Sequence, residues 1–293
     1  MERTPNTDPM SVSLAAFVLE NHPSLRAALV SGLRSSGFSR VDTTTDRTEA
    51  LRAMETSLYD LVMFDTSKDL KSIATTIRKA RQNLSDHDPF GFYLMTGPAP
   101  TGAGVESIVS AGCDAFLVRP FSSDLMQKRL DRLIDNNRPF VVTTQYIGPD
   151  RRKAVREETF TRRVMVPNTL KAKKSGDFDP VAHREALDRA LLTFNTYLVE
   201  RQAYLIELLE EGGAAGIEDE LTRSESDILT TVQKLAGSLE TAGQKRLQPL
   251  VTAISETAAQ RIQRNEHLGA KSARELQKLC VNLANFVSGI DYP

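Results

Sequence analysis

Five strand candidates, four of them short apolar runs, separated by stretches of helical spacing, occupy the first 137 residues, and few folds accept that alternation. Ser13-Leu14-Ala15-Ala16-Phe17-Val18-Leu19 opens the series. The others are Arg40–Thr44, Leu61-Val62-Met63-Phe64, Gly91-Phe92-Tyr93-Leu94-Met95 and Ala115-Phe116-Leu117-Val118. Between the first two, Leu25, Ala28, Leu29 and Leu33 recur at helical spacing as far as Gly37, and a further helix is expected across Thr48–Glu55. Strands interleaved with helices predict an α/β fold, a doubly wound five-stranded parallel sheet. In that architecture the working residues lie at the C-terminal ends of the strands. Glu20 and Asn21 follow the first run, Asp65 closes the third, Thr96 the fourth, and Arg119-Pro120 the fifth. Such a set suits phosphoryl chemistry. A carboxylate can attack phosphorus, acidic groups can hold Mg²⁺, and a hydroxyl and a cation can clasp phosphoryl oxygens.

Four motifs in order sharpen this reading. They are Val18-Leu19-Glu20-Asn21-His22-Pro23, Tyr59-Asp60-Leu61-Val62-Met63-Phe64-Asp65, Met95-Thr96-Gly97, and Ala111-Gly112-Cys113-Asp114-Ala115-Phe116-Leu117-Val118-Arg119-Pro120-Phe121. Residues 12–137 resemble the CheY-like receiver domain of two-component response regulators in these motifs and in the separations between them. The resemblance implies a phosphoacceptor at Asp65, a switch hydroxyl at Thr96, an aromatic switch partner at Phe116 and a phosphoryl-contacting cation at Arg119. It also implies a Mg²⁺ site at Glu20, Asn21 and Asp65, and a sensor histidine kinase or phosphotransfer protein as partner. Two positions depart from the pattern. Asn21 offers a neutral amide oxygen where the family has a second acid, which weakens the expected Mg²⁺ site. Arg119 stands where the family has lysine, and a planar fork is not equivalent to a compact ammonium. An alternative follows, a pseudo-receiver in which Arg119 pairs with Asp65 and signalling proceeds by protein contacts without phosphate.

The net charge of −1 conceals an uneven distribution. Residues 1–137 carry −2, 138–174 carry +7 and 175–293 carry −6. The basic stretch, punctuated by Pro139, Gly148, Pro149 and Pro167, reads as an extended linker over 138–178, and residues 1–11 as a polar, disordered tail. Its Tyr146-Ile147-Gly148-Pro149-Asp150-Arg151-Arg152 run resembles a segment that follows receiver domains in some bacterial regulators. Tyr146, Ile147 and Phe160 are apolar anchors that could dock on a domain surface; the basic residues are read first as a solvated linker, with an acidic partner, the acidic C-terminal half or nucleic acid as the alternatives.

From Asp179-Pro180 onward the pattern is helical, predicting a bundle over 179–293. Leu187, Leu191, Phe194, Leu198, Leu205 and Leu208 mark a first stripe on a helix of roughly 30 residues. Leu221, Ile228, Val232, Leu235 and Leu239 mark a second. Leu250, Val251, Ile254, Ala258 and Ile262 mark a third, and Leu276, Leu279, Leu283, Phe286, Val287 and Ile290 a fourth. This half is expected to bind a protein partner or to dimerise. A phosphotransfer bundle would need an exposed histidine, for which His183 and His267 are the candidates, and a phosphatase could use Glu256 and Gln260 at i, i+4. The favoured reading is a regulatory protein rather than an enzyme, apart from autophosphorylation at Asp65. A disulfide framework or cysteine-based zinc site is excluded by Cys113 and Cys280 alone. With no signal-like or long apolar segment the expected location is the cytoplasm, without membrane contact. The balanced charge and the lack of a basic recognition helix disfavour nucleic acid.

Overall fold

The computed structural model describes residues 13–54, 59–85, 87–135, 138–151, 160–176, 178–212, 217–241, 256, 260 and 269–288. Two compact units divide the chain. The first comprises Met1–Pro139, Ile147–Arg151 and Val166–His183, and the second comprises Phe140–Tyr146, Arg152–Met165 and Arg184–Pro293. The expected N-terminal tail, 1–11, lies outside the described residues.

In the first unit the five strand candidates are strands: β1 (Leu14–Leu19), β2 (Phe38–Thr44), β3 (Leu61–Asp65), β4 (Phe92–Gly97) and β5 (Ala115–Val118). They form one sheet of order β2-β1-β3-β4-β5 with every pairing parallel. Every residue of β1 is buried, as a central strand covered on both faces requires. Its side chains alternate between two cores. Leu14, Ala16 and Val18 join Leu29, Leu33, Met126 and Leu130 beneath α1 (Pro23–Ser35) and α5 (Ser123–Asp135). Phe17 and Leu19 join Ala50, Ile73, Ile77 and Ile108 beneath α2 (Arg47–Arg52), α3 (Leu70–Arg81) and α4 (Ala103–Ala111). This is the doubly wound sheet that the alternation predicted.

Local chemistry sets the helix boundaries. Pro23 occupies the first turn of α1, where its missing N–H costs nothing. Asp46 caps α2 by accepting from the Thr48 N–H, and Asp69 caps α3 by accepting from the Ser72 N–H. The expected helix at 48–55 is shorter than its pattern, ending at Arg52.

The expected linker over 138–178 is corrected. It contains β6 (Arg138–Thr143), β7 (Ile147–Pro149), β8 (Thr161–Val166) and α6 (Thr169–Lys174), the strands forming a second sheet of order β7-β6-β8. The physical reason lies in its apolar residues. Phe140, Val142, Ile147, Val164, Val166 and Leu170 are all buried, which a solvated tether could not achieve. The prolines stand at strand margins, Pro139 and Pro149, or directly after β8, Pro167. Within the first unit, Leu170 enters the core below α1 and α5, and Asn168 donates to the carbonyls of Leu133 and Ile134 at the end of α5. Lys173 pairs with Asp60 at 2.8 Å, both side chains being 5% exposed. The positive charge therefore meets acids in both units, since Arg162 pairs with Glu200 at 2.7 Å in the second.

The second unit is dominated by α7 (Pro180–Gly212), α8 (Ile217–Thr241) and α9 (Gly269–Ser288). Asp179 caps α7, accepting from the N–H groups of Val181 and Ala182, as the Asp-Pro pair predicted. The long helices share a core of Leu192, Val199, Ala203, Ile206, Ile228, Leu229, Val232, Leu235, Ala273 and Cys280. The first stripe is partly corrected. Leu208 is exposed, whereas Leu192, Val199, Ala203 and Ile206 on another face of α7 are buried. Phe194 packs edge-on against Phe140 of β6, with ring centroids 6.2 Å apart. A helix buried on more than one side has no single apolar stripe to read. Leu279 of the fourth stripe is likewise exposed. The third stripe lies outside the described residues, as do His267 and Ile290.

Candidate functional site

Parallel strands end together, and four expected site residues converge at the C-terminal edge of the sheet. Glu20, directly after β1, is fully buried, and its Oε1 accepts the His22 N–H at 2.8 Å. Asp65 and Thr96 end facing strand positions, paired across β3 and β4. Arg119 follows β5, its N–H donating to the Gly97 carbonyl at 2.8 Å. From there its guanidinium reaches across the edge. Nη2 donates to Thr96 Oγ1 at 2.6 Å and pairs with Glu20 Oε2, while Nη1 lies 3.1 Å from Asp65 Oδ1 and 3.0 Å from Ser67 Oγ. Asn21, half-buried, follows Glu20 and helps to lower the Asp65 pKa. All five polar residues proposed for the site are thus together.

Burial pushes the Asp65 carboxyl upward, but donors overcome it. The Ser67 hydroxyl and N–H, the Arg119 charge and Asn21 together leave it below the usual carboxylate range. Asp65 is therefore an anion at neutral pH. Its Oδ1 accepts the Ser67 N–H at 2.9 Å, a local turn two residues on.

Ser67 and Thr66 were not singled out in the sequence. The Asp65-Thr66-Ser67 order was a legible signal, because an aspartate followed by small polar residues forms such turns. Thr66 fastens the edge by donating its N–H and hydroxyl to the Thr96 carbonyl, at 2.8 and 2.9 Å. A side chain at Gly97 would collide with Thr66 Oγ1 and press on Phe116 Cζ at 3.4 Å, so this close approach requires glycine. Phe116 is half-buried against the core beneath α2, α3 and α4, one residue along the β4–β5 register from the partner of Thr96.

The helical candidates look different. His183 has Nε2 3.0 Å from Thr169 Oγ1 and its ring 5.2 Å from that of Phe178. Burial and the charge of Lys173 lower its pKa. It is a packed residue at the start of α7, half-buried. Glu256 and Gln260 are helical and exposed. Among the described residues no group of three or more His, Cys, Asp or Glu side chains gathers as a metal site. No helix among them is long and apolar enough to cross a membrane.

No protein-family profile matches the chain. It is similar to the two-component response regulator PhoP of Pseudomonas aeruginosa, with 30% identity over 147 residues. That match takes in 48% of this chain and 63% of PhoP, so the chain spans less than two thirds of that relative's length. Among solved structures, a response regulator from Thermotoga maritima aligns at 20% identity and TM-score 0.36, covering 42% of this chain and 99% of that one. An orphan response regulator of H. pylori aligns at 21% identity and TM-score 0.34, over 41% and 94%. The receiver domain of a P. aeruginosa sensor histidine kinase, solved with magnesium in its active-site cleft, aligns at 22% identity and TM-score 0.35, over 41% and 96%. The strand order β2-β1-β3-β4-β5, the four ordered motifs and the similarity to PhoP agree. The N-terminal part of this chain has the doubly wound CheY-like receiver fold and is similar in sequence to a two-component response regulator.

Proposed function

We propose that the protein is an atypical response regulator in which Asp65 accepts a phosphoryl group and the helical part, 179–293, binds a protein partner or a second copy. The observation that carries this reading is the convergence of Asp65, Thr96 and Arg119 at one sheet edge, with Asp65 held anionic. An Asp65 carboxylate oxygen attacks phosphorus of a phosphohistidine or acyl phosphate donor. The P–O or P–N bond to the leaving group breaks as the new P–O bond forms. Arg119 and Thr96, already hydrogen-bonded to one another, then turn to the phosphoryl oxygens. Movement of the Thr96 hydroxyl frees space beside Gly97, where Phe116 follows it. A sensor histidine kinase or phosphotransfer protein is the expected donor, and the cytoplasm the expected setting.

The residues fit a weakly held Mg²⁺. Glu20 and Asp65 supply two carboxylates and Asn21 a neutral amide, while the Arg119 guanidinium already lies across both acids. When bound, Mg²⁺ neutralises charge on the transferring phosphoryl group. Asn21 lowers its affinity by replacing an anionic oxygen.

The test is covalent labelling of the full chain by acetyl phosphate with Mg²⁺, read by mass spectrometry. Labelled wild type and unlabelled Asp65→Asn support the reading. An unlabelled wild type, under conditions that label a standard receiver, refutes it. A second reading is favoured by the Arg119 bridge, which balances much of the acid charge without any ligand. In that pseudo-receiver, partner binding by the full chain is the same in wild type and Asp65→Asn with or without donor.

A further inference from the structure

Glu20 and Asp65, the two carboxylates at this sheet edge, already share a cation supplied by the chain itself. Through its two Nη atoms Arg119 touches four residues of the first unit. Nη2 holds Glu20 and Thr96, and Nη1 holds Asp65 and Ser67. The Glu20 and Asp65 side chains are 0% and 5% exposed, and that of Arg119 is 18% exposed. Carboxylates buried to this degree need a neighbouring cation, and the planar fork of one guanidinium serves both. A lysine ammonium, a single point charge, offers no such fork.

The main chain beneath the fork is fixed, because the Arg119 N–H donates to the Gly97 carbonyl at 2.8 Å. Leaving the acids is therefore a rotation of the side chain alone, with no strand displaced. Ser67 steadies the engaged position. Its N–H donates to Asp65 Oδ1 at 2.9 Å and its Oγ accepts from Arg119 Nη1 at 3.0 Å, so it ties the cation to that acid. The fork is nevertheless not fully satisfied. Arg119 Nε is buried and has no hydrogen-bond partner among the described residues. A buried N–H without an acceptor is costly, so the hold on the acids is firm but incomplete.

A divalent cation at this edge draws on the same oxygens. While the fork rests on both acids, it takes their lone pairs and offsets the charge on which Mg²⁺ depends. We propose that Arg119 is a built-in competitor of Mg²⁺ for Glu20 and Asp65, and that Ser67 is the positioning residue that sets how firmly it competes. Mg²⁺ affinity is then governed by the occupancy of an internal cation as well as by the neutral amide of Asn21. Competition rests on the weak Mg²⁺ site proposed above and needs no phosphoryl transfer. A metal that binds only when the fork has swung away has its affinity lowered by the fraction of molecules in that state. With the acids free in about a tenth of molecules, the apparent Kd is about tenfold weaker.

Calorimetric titration of Mg²⁺ into the full-length protein, with no phosphoryl donor present, tests this. A wild type that acetyl phosphate fails to label refutes phosphoryl acceptance, whereas these titrations decide competition separately. Arg119→Gln should tighten Mg²⁺ binding about tenfold or more. Arg119→Lys keeps the charge and loses the fork, and should tighten it about threefold or more. Ser67→Ala, at an exposed position, should tighten it about threefold, and Ser67→Thr, which keeps the hydroxyl, should stay within about twofold of wild type. Arg78→Gln removes the same charge from the last turn of α3, where Arg78 donates to Ser110 Oγ at 2.7 Å, and should leave the affinity unchanged. If Arg119→Gln fails to fold because Glu20 is left buried without a cation, Arg119→Lys decides. Unchanged affinity in Ser67→Ala overturns the positioning role. Unchanged affinity in the Arg119 variants, equal tightening in Arg78→Gln, or no measurable binding in any of these proteins overturns the competition.

Discussion

The most exacting prediction concerns Lys173→Met. Lys173 of α6 and Asp60, just before β3, are each 5% exposed and 2.8 Å apart, and the other Asp60 oxygen accepts the Ala15 N–H at 2.8 Å. At that separation and an effective dielectric of about 20, their attraction is about 6 kcal/mol before desolvation. Methionine keeps the length of the side chain and removes its charge, so a buried carboxylate is left with one N–H. Removing one partner of a buried pair costs roughly 3–5 kcal/mol. The sign of the pH dependence follows from Asp60. Burial already raises its pKa, against the opposing effect of Lys173, so loss of Lys173 raises it further. A group raised in the folded state contributes most below its unfolded pKa and progressively less as pH rises through the folded value. The deficit of Lys173→Met should therefore be largest at neutral pH and shrink on acidification. The assay is the urea dependence of Cys113 labelling, with Cys280 as a reference in the second unit. Asp60→Asn in the same background should recover more than half of the loss. A deficit under about 1 kcal/mol at neutral pH, or one that deepens on acidification, would refute the pairing and the place of α6 in the first unit.

Three further outcomes can be measured. Asn21→Asp should tighten Mg²⁺ binding by about tenfold or more, read by calorimetry, and an unchanged affinity would show that Asn21 is not a donor. Arg81→Met should cost roughly 3–5 kcal/mol, because it removes the cation paired with the buried Asp114 carboxylate and a donor to each of three carbonyls; a urea midpoint within error of wild type would contradict that account. The Asp65 pKa is lowered in the folded protein, so its stabilisation is present above the unfolded value near 3.8 and fades as pH falls through the folded one. Asp65→Asn should flatten that acid limb, and an identical acid titration of stability would count against an ionised, donor-held Asp65.

The sheet was legible because β1, β3, β4 and β5 are short apolar runs bounded by polar residues, so periodicity and loop chemistry agree, while the polar β2 (Phe38–Thr44) was marked only by its place between helical patterns. Its site was legible for a related reason. Parallel topology brings strand ends together, so Glu20, Asn21, Asp65, Thr96 and Arg119 could be grouped before any distance was known. The stretch 138–178 was misread because proline, glycine and basic residues are the common marks of a tether. Phe140, Val142, Ile147 and Leu170 each bury against residues distant in the chain, and no local pattern reports that. The α7 stripe misled for a similar reason. Phe194 faces Phe140 while Val199 and Ile206 face α8 and α9, so burial on several sides erased the helical period.

Sequence by itself determined the α/β class of the first part, the helical class of the last part and the residue types available for phosphoryl chemistry. These follow from backbone periodicity and side-chain chemistry, which are local. Only the tertiary structure decided that one guanidinium spans Glu20, Asp65 and Thr96, that Lys173 neutralises Asp60, and that Gly112 is left bare for the Ile147 carbonyl. Those are contacts between residues 99, 113 and 35 positions apart. Their energies depend on burial and distance, and the folded chain alone sets both.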